Sequence, residues 1–137
     1  RSGEIDIVET INEKSDELVT TIHYGHDYHR QISKTTFLNQ LTKLSNPIDH
    51  NKISLIWEDK YFEWLLNDQL VFKVNFNEVE NLMPNPFLEE FYLLINVAVG
   101  GNWPGSPNST MYCNSRKSCP DVKKLIVDYI AYYEKIN

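Results

Sequence analysis

Three carboxylic acids open the chain in the pattern Glu4-x-Asp6-x-x-Glu9, set among Ile5, Ile7 and Val8. Those apolar neighbours are good β-formers, so the acids belong to a strand. In a regular strand Glu4 and Asp6 share a face and Glu9 points to the other. A single β-bulge after Asp6 adds one residue, resets the alternation and returns Glu9 to the side of its partners. The two glutamates then lie about 13 Å apart at Cα, counting about four strand steps. On a concave sheet their side chains can converge to the roughly 5 Å carboxyl separation that a double displacement at a glycosidic carbon requires. That chemistry needs unequal acids: an ionised nucleophile and a general acid that keeps its proton near neutral pH. Crowding carboxylates on one face raises the pKa of at least one of them by like-charge repulsion. Asp6, between the other two, is placed to hydrogen-bond the nucleophile and orient it. A solvated edge strand carrying scattered acids has the same spacing, so the elements around the motif decide between the two.

Those elements read as strands almost throughout. The segments "ELVTTIHYG", "KISLIWE", "YFEWLL" and "QLVFKVNF" are short, rich in β-branched and aromatic residues, and separated by polar turns. Asn67-Asp68, both tolerant of positive φ, suits a two-residue hairpin turn. The apolar run "FYLLINVAV" from Phe91 to Val99 reads as a buried strand, and "KKLIVDYIAYYEK" as another because Leu125, Val127, Tyr129, Ala131 and Tyr133 alternate with period two. A turn or two of helix is expected around Asn77 to Leu82, before Pro84 and Pro86. Trp57 and Trp64, each in a strongly apolar strand, are expected in the core. The protein is therefore expected to be all-β.

With 137 residues, 42% of them hydrophobic, the chain can build one packed core. A formal charge of −6 argues against nucleic acid or an anionic membrane as partner. The nine-residue apolar run falls far short of the roughly 20 needed to cross a bilayer as a helix. Cys113 and Cys119 flank a short polar loop and are expected to close as a disulfide, the alternative being two free thiols. Asn108-Ser109-Thr110 is an N-glycosylation pattern in a Pro- and Gly-rich loop. The two features together point to a secreted protein. His23, His26 and His29 have the spacing H-x-x-H-x-x-H. Gly25 sits among them and no strand or helix puts all three on one face, so "HDYHR" reads as a cleft-rim loop rather than a zinc site.

"GEIDIVE" resembles the bulged, laminarinase-type signature of glycoside hydrolase family 16. In the same order as in that family, "TTIHYG" resembles the strand that follows, "LIWEDKYFEWLLNDQLVFKV" its tryptophan-bearing hairpin, "FYLLINVAVGGNWPGSP" its most recognisable later stretch, and "VDYIAYYE" its closing strand. The resemblance implies a β-jelly-roll sandwich of the concanavalin A-like kind, with residues 1–137 forming the C-terminal half of the domain from the catalytic strand onward. It also implies retaining endo-hydrolysis of β-1,3-glucan, laminarin-like or mixed β-1,3/1,4. Glu4 matches the nucleophile, Asp6 the assisting acid and Glu9 the acid/base. His23 matches a histidine near the catalytic carboxylates. Trp103 matches a cleft tryptophan that stacks on a sugar ring, with Asn102 a polar contact beside it. Asp128 falls where some members place a calcium ligand; no cofactor is otherwise required.

The sequence departs from the family where "LLNDQL" replaces the more usual Val-Asp-Gly turn and where "INEKSDELVTTIHYG" makes a shorter, more acidic connection. Both bear on linkage preference, and neither touches the acids. The alternative function is non-catalytic β-1,3-glucan recognition in innate immunity, by relatives that have typically lost the glutamates. Because the acid-bearing strand normally lies mid-domain, an N-terminal fragment of the same precursor is expected as a second chain supplying the remaining strands.

Overall fold

The computed structural model describes residues 3–11, 14–38, 50–106 and 125–136. The chain divides into two compact units, Arg1–Tyr92 and Leu93–Asn137. Among its described residues the first contains six strands: β1 (Glu4–Ile11), β2 (Lys14–Tyr24), β3 (Arg30–Phe37), β4 (Ile53–Glu58), β5 (Tyr61–Leu66) and β6 (Gln69–Asn75). They form two antiparallel sheets of three, in the orders β1-β2-β3 and β4-β5-β6. The fold is all-β, as the sequence pattern requires.

Alternation builds one core between the two sheets. Ile22 and Tyr24 of β2 pack with Phe62 and Trp64 of β5 and Val74 of β6, and Ile5, Ile32 and Leu55 close against them. Phe62, Trp64, Phe87 and Ile22 are almost completely buried. Phe62 makes edge-to-face contacts with Trp57, Trp64, Phe76 and Phe87 at centroid distances of 4.9–5.6 Å. Such offset aromatic pairs add to the area they bury. A smaller cluster of Leu18, Leu38 and Leu66 extends the core. Trp64 is a core residue as expected. Trp57 is not: it remains 40% exposed, with one edge on Phe62 and another on Phe91.

The turns follow their residues. Asn67 and Asp68 take φ of 49° and 66° between Leu66 and Gln69, the positive-φ pair of a tight hairpin. The Asn67 backbone N–H donates to the Lys52 carbonyl, and its side-chain oxygen accepts from the Lys52 N–H, fixing the hairpin tip to the entry of β4. The helical turn expected at Asn77 to Leu82 is a 3-10 turn, Phe76–Glu78. A second 3-10 turn, Pro86–Leu88, starts with Asn85 accepting from the Phe87 N–H.

The second unit corrects two expectations. Phe91 to Val99 and the described part of the closing segment, residues 125–136, carry no strand. Tyr92, Leu94, Val97 and Val99 are exposed, as are Ile126, Tyr129, Tyr132 and Tyr133. A strand is held by its cross-strand neighbours, and alternation in one segment does not supply them. Cys113, Cys119 and Asn108 lie outside the described residues.

Candidate active site

The side of β1-β2-β3 that faces away from the core carries the acids. In the antiparallel register Glu4 stands opposite His23, Asp6 opposite Thr21 and Glu9 opposite Val19. Three steps along β1 therefore match two along β2, which is the bulge expected between Asp6 and Glu9. The partners His23, Thr21 and Val19 are each two residues apart, so all three acids share one face. β3 continues the same rows with Gln31, Ser33 and Thr35. Ile5, opposite Ile22, projects to the core between Glu4 and Asp6. One strand thus supplies apolar anchors to one side and carboxylates to the other.

The three acids differ in setting. Glu4 is exposed, and Glu9 is half-buried. The Asp6 side chain is only 16% exposed, and burial pushes its pKa up to about 6, helped by the charges of Glu9 and Glu4. His23 opposes that rise, with Nε2 2.9 Å from Asp6 Oδ2 as a charge contact, since that buried oxygen receives no aligned hydrogen bond among the described residues. Burial also raises the pKa of Glu9; His23 pulls it down and Glu4 pushes it up. Next to Asp6, the hydroxyls of Thr21 and Ser33 are 3.0 Å apart. The face can therefore hold protons unequally among neighbouring carboxyls, which is what acid and nucleophile roles demand.

The spacing of His23, His26 and His29 predicts a rim loop with no common face. The structure brings two of them together: His23 Nδ1 is 2.8 Å from His29 Nε2, with the ring centroids 5.0 Å apart and the planes 21° from parallel. His26 turns instead to Asp27. The missing signal was β3, because Arg30–Phe37 reads as polar sequence and its pairing with β2 places Gln31 beside His23.

The other candidate residues lie in the second unit. Asn102 and Trp103 sit on a small turn closed by reciprocal backbone hydrogen bonds between Gly101 and Gly105, of 3.1 and 2.9 Å. Both glycines have positive φ, 138° and 82°, which the turn requires. Trp103 is 54% exposed, leaving its ring available for stacking on a ligand. Asp128 is exposed, and the described residues contain no group of three or more acid, histidine or cysteine side chains able to hold a metal. A depression of about 830 Å³ bordered by Asp59, Tyr61, Asn75, Phe76 and Asn81 includes none of Glu4, Asp6 and Glu9.

No family model matches the chain. Individual relatives do. Glucan endo-1,3-beta-glucosidase A1 of Niallia circulans is 30% identical over 98% of this chain and 19% of its own length. The clotting factor G alpha subunit of Tachypleus tridentatus is 28% identical over 97% of this chain and 18% of its own. The laminarinase catalytic domain from Thermotoga maritima MSB8 superposes with a TM-score of 0.66 at 29% identity, covering 81% of this chain and 45% of that one. The chain is related to the laminarinase-type glucanases of glycoside hydrolase family 16. It spans less than half the length of each of these three relatives. Its sandwich strands are those of a laminarinase jelly roll, of which the chain covers about half.

Proposed function

We propose that the protein hydrolyses β-1,3-glucan, laminarin-like or mixed β-1,3/1,4, at internal linkages and with retention of configuration. The observation that carries this reading is the bulge that sets Glu4, Asp6 and Glu9 on one face of β1. In this reading the Glu4 carboxylate attacks the anomeric carbon as Glu9 gives its proton to the departing glycosidic oxygen. A covalent glycosyl ester on Glu4 forms and the exo-cyclic C–O bond breaks. Glu9, now ionised, takes a proton from water, which attacks the same carbon and releases Glu4. The raised pKa of Glu9 suits a proton donor. Asp6, held by His23, orients Glu4 and limits charge between the two glutamates. Trp103 offers a ring for sugar stacking, with Asn102 beside it.

Secretion suits a polysaccharide substrate, and glycosylation at Asn108 with a Cys113–Cys119 disulfide belongs to the same proposal. The exposed apolar side chains of residues 91–99 and 125–136 support additional sandwich strands, from an N-terminal fragment of the same precursor, as their cover.

Glu4→Gln and Glu9→Gln, assayed for reducing ends released from laminarin, are each expected to lose several orders of magnitude of turnover, on the order of 10³-fold or more, with glucan binding retained. A second reading, glucan recognition without hydrolysis, is favoured by the kinship with a clotting factor subunit. It prevails if the unmutated protein binds laminarin and releases no reducing ends.

A further inference from the structure

Between β2 and β3 the chain reverses over Gly25 to His29, with Tyr24 paired to Arg30. Gly25 has φ of 106°, and a Cβ there would collide with the Tyr28 carbonyl oxygen, so the loop folds down closely on its own start. Alternation along β3 places His29 on the same side as Gln31, the residue opposite His23. The result is a row of contacts, His29 Nε2 to His23 Nδ1 at 2.8 Å and His23 Nε2 to Asp6 Oδ2 at 2.9 Å.

We infer that His29 is a positioning residue for the acid cluster: its Nε2–H donates to His23 Nδ1, which keeps the His23 proton on Nε2, the nitrogen 2.9 Å from Asp6 Oδ2. The inference rests on the hydrolase reading given above. An imidazole's second nitrogen sets which of its two nitrogens carries the proton. The two rings meet edge to edge and nearly coplanar through this bond, so it also holds the His23 ring plane, a constraint that no other contact to Nδ1 provides among the described residues. Other ionisable groups facing His23 come from β1, namely Glu4, Asp6 and Glu9. β3 offers Gln31 and Ser33 on this side, while Arg30 and Lys34 alternate to the other. His29 is thus the only nitrogen base in the described cluster that can take the Nδ1 side of His23.

His29 is exposed, so its replacement leaves the core intact. Three variants test the hydrogen bond: His29→Ala removes ring and donor, His29→Phe keeps a ring without a donor, and His29→Gln keeps a donor without the ring. Long-range ¹H–¹⁵N spectra of the histidine rings report the His23 tautomer without reference to activity. The expected result is a single Nε2–H tautomer in the unmutated protein and in His29→Gln, and a mixture in the Ala and Phe variants. On laminarin, the Ala and Phe variants should lose about tenfold in kcat with KM changed less than about twofold, and His29→Gln should recover most of it. Unchanged tautomer populations in His29→Ala overturn the inference, as does an active protein whose kcat is unmoved. Should the unmutated protein hydrolyse nothing, the hydrolase reading fails while the ring spectra still decide the role of His29 in holding His23.

Discussion

The two sides of the β1-β2-β3 sheet are built from the same strands and do opposite things. Toward the core, Ile5, Ile22 and Tyr24 pack against aromatic side chains of the second sheet. On the other side, Glu4, Asp6, Glu9 and His23 crowd charge at a cost to stability, visible in the upward pKa of Asp6. One residue of register separates the two roles, because adjacent side chains on a strand point to opposite faces. The bulge between Asp6 and Glu9 is what lets a six-residue motif put three acids on the second side without turning Ile5 away from the first. Stability and chemistry should therefore be separable by mutation, side by side along one strand.

The largest contrast is between Ile22→Ala and Glu4→Gln. Ile22 is fully buried, so its truncation is expected to destabilise by roughly 2–5 kcal/mol. Glu4 is exposed, and Glu4→Gln should leave the unfolding midpoint within about 0.5 kcal/mol of the original while removing hydrolysis. Denaturant titrations beside activity assays check this, and a Glu4→Gln protein that unfolds as readily as Ile22→Ala would erase the distinction between the faces.

A deletion sharpens the point. Without Val8 the strand reads Glu-x-Asp-x-Glu, regular alternation with the second glutamate still able to stand opposite Val19. Hydrolysis by that variant is expected to persist at between about a tenth and a hundredth of the original rate, since the acids keep their face but shift in spacing. Complete loss with the fold intact would mean the bulge itself, and not the face it selects, is required.

The smallest effect concerns pH. Asp6 has a folded-state pKa of about 6 against an ordinary 3.8. Between those values the folded protein holds a proton that the unfolded chain has released, so this group lowers stability as pH rises from about 4 to about 6. Asp6→Asn removes the penalty and is expected to be more stable above pH 6 by roughly 1–2 kcal/mol, after allowing for solvent screening. It should also be less active. Thermal melts at pH 4 and pH 7 measure the difference, which should be small at the lower pH.

How much was legible in the sequence follows the same division. The acid motif, its bulge and the Asn67-Asp68 hairpin were readable because each is set by residues close in sequence. Phe91 to Val99 is as apolar as any strand in the chain, yet carries no ladder, because pairing depends on a neighbour the segment does not encode. Trp57 sits in an apolar strand and its sequence points to the core, but only its edges meet Phe62 and Phe91 and the rest of the ring stays exposed. The contact of His23 with His29 was hidden by β3, whose Arg30, Gln31, Ser33 and Lys34 give no apolar signal and which is strand through its pairing with β2.

The central claim is that the acid-bearing face of β1 performs a double displacement, and the anomeric configuration of the first product tests it most directly. Proton NMR spectra collected in the first minutes of laminarin hydrolysis, before mutarotation, resolve the anomeric protons of the new reducing end. The account predicts that the β-anomer accumulates first, with the α-anomer growing in later, and that Glu4→Gly supplied with azide yields the α-glycosyl azide. An α-anomer as the initial product would contradict it, because inversion requires carboxylates spaced for an intervening water rather than for direct attack.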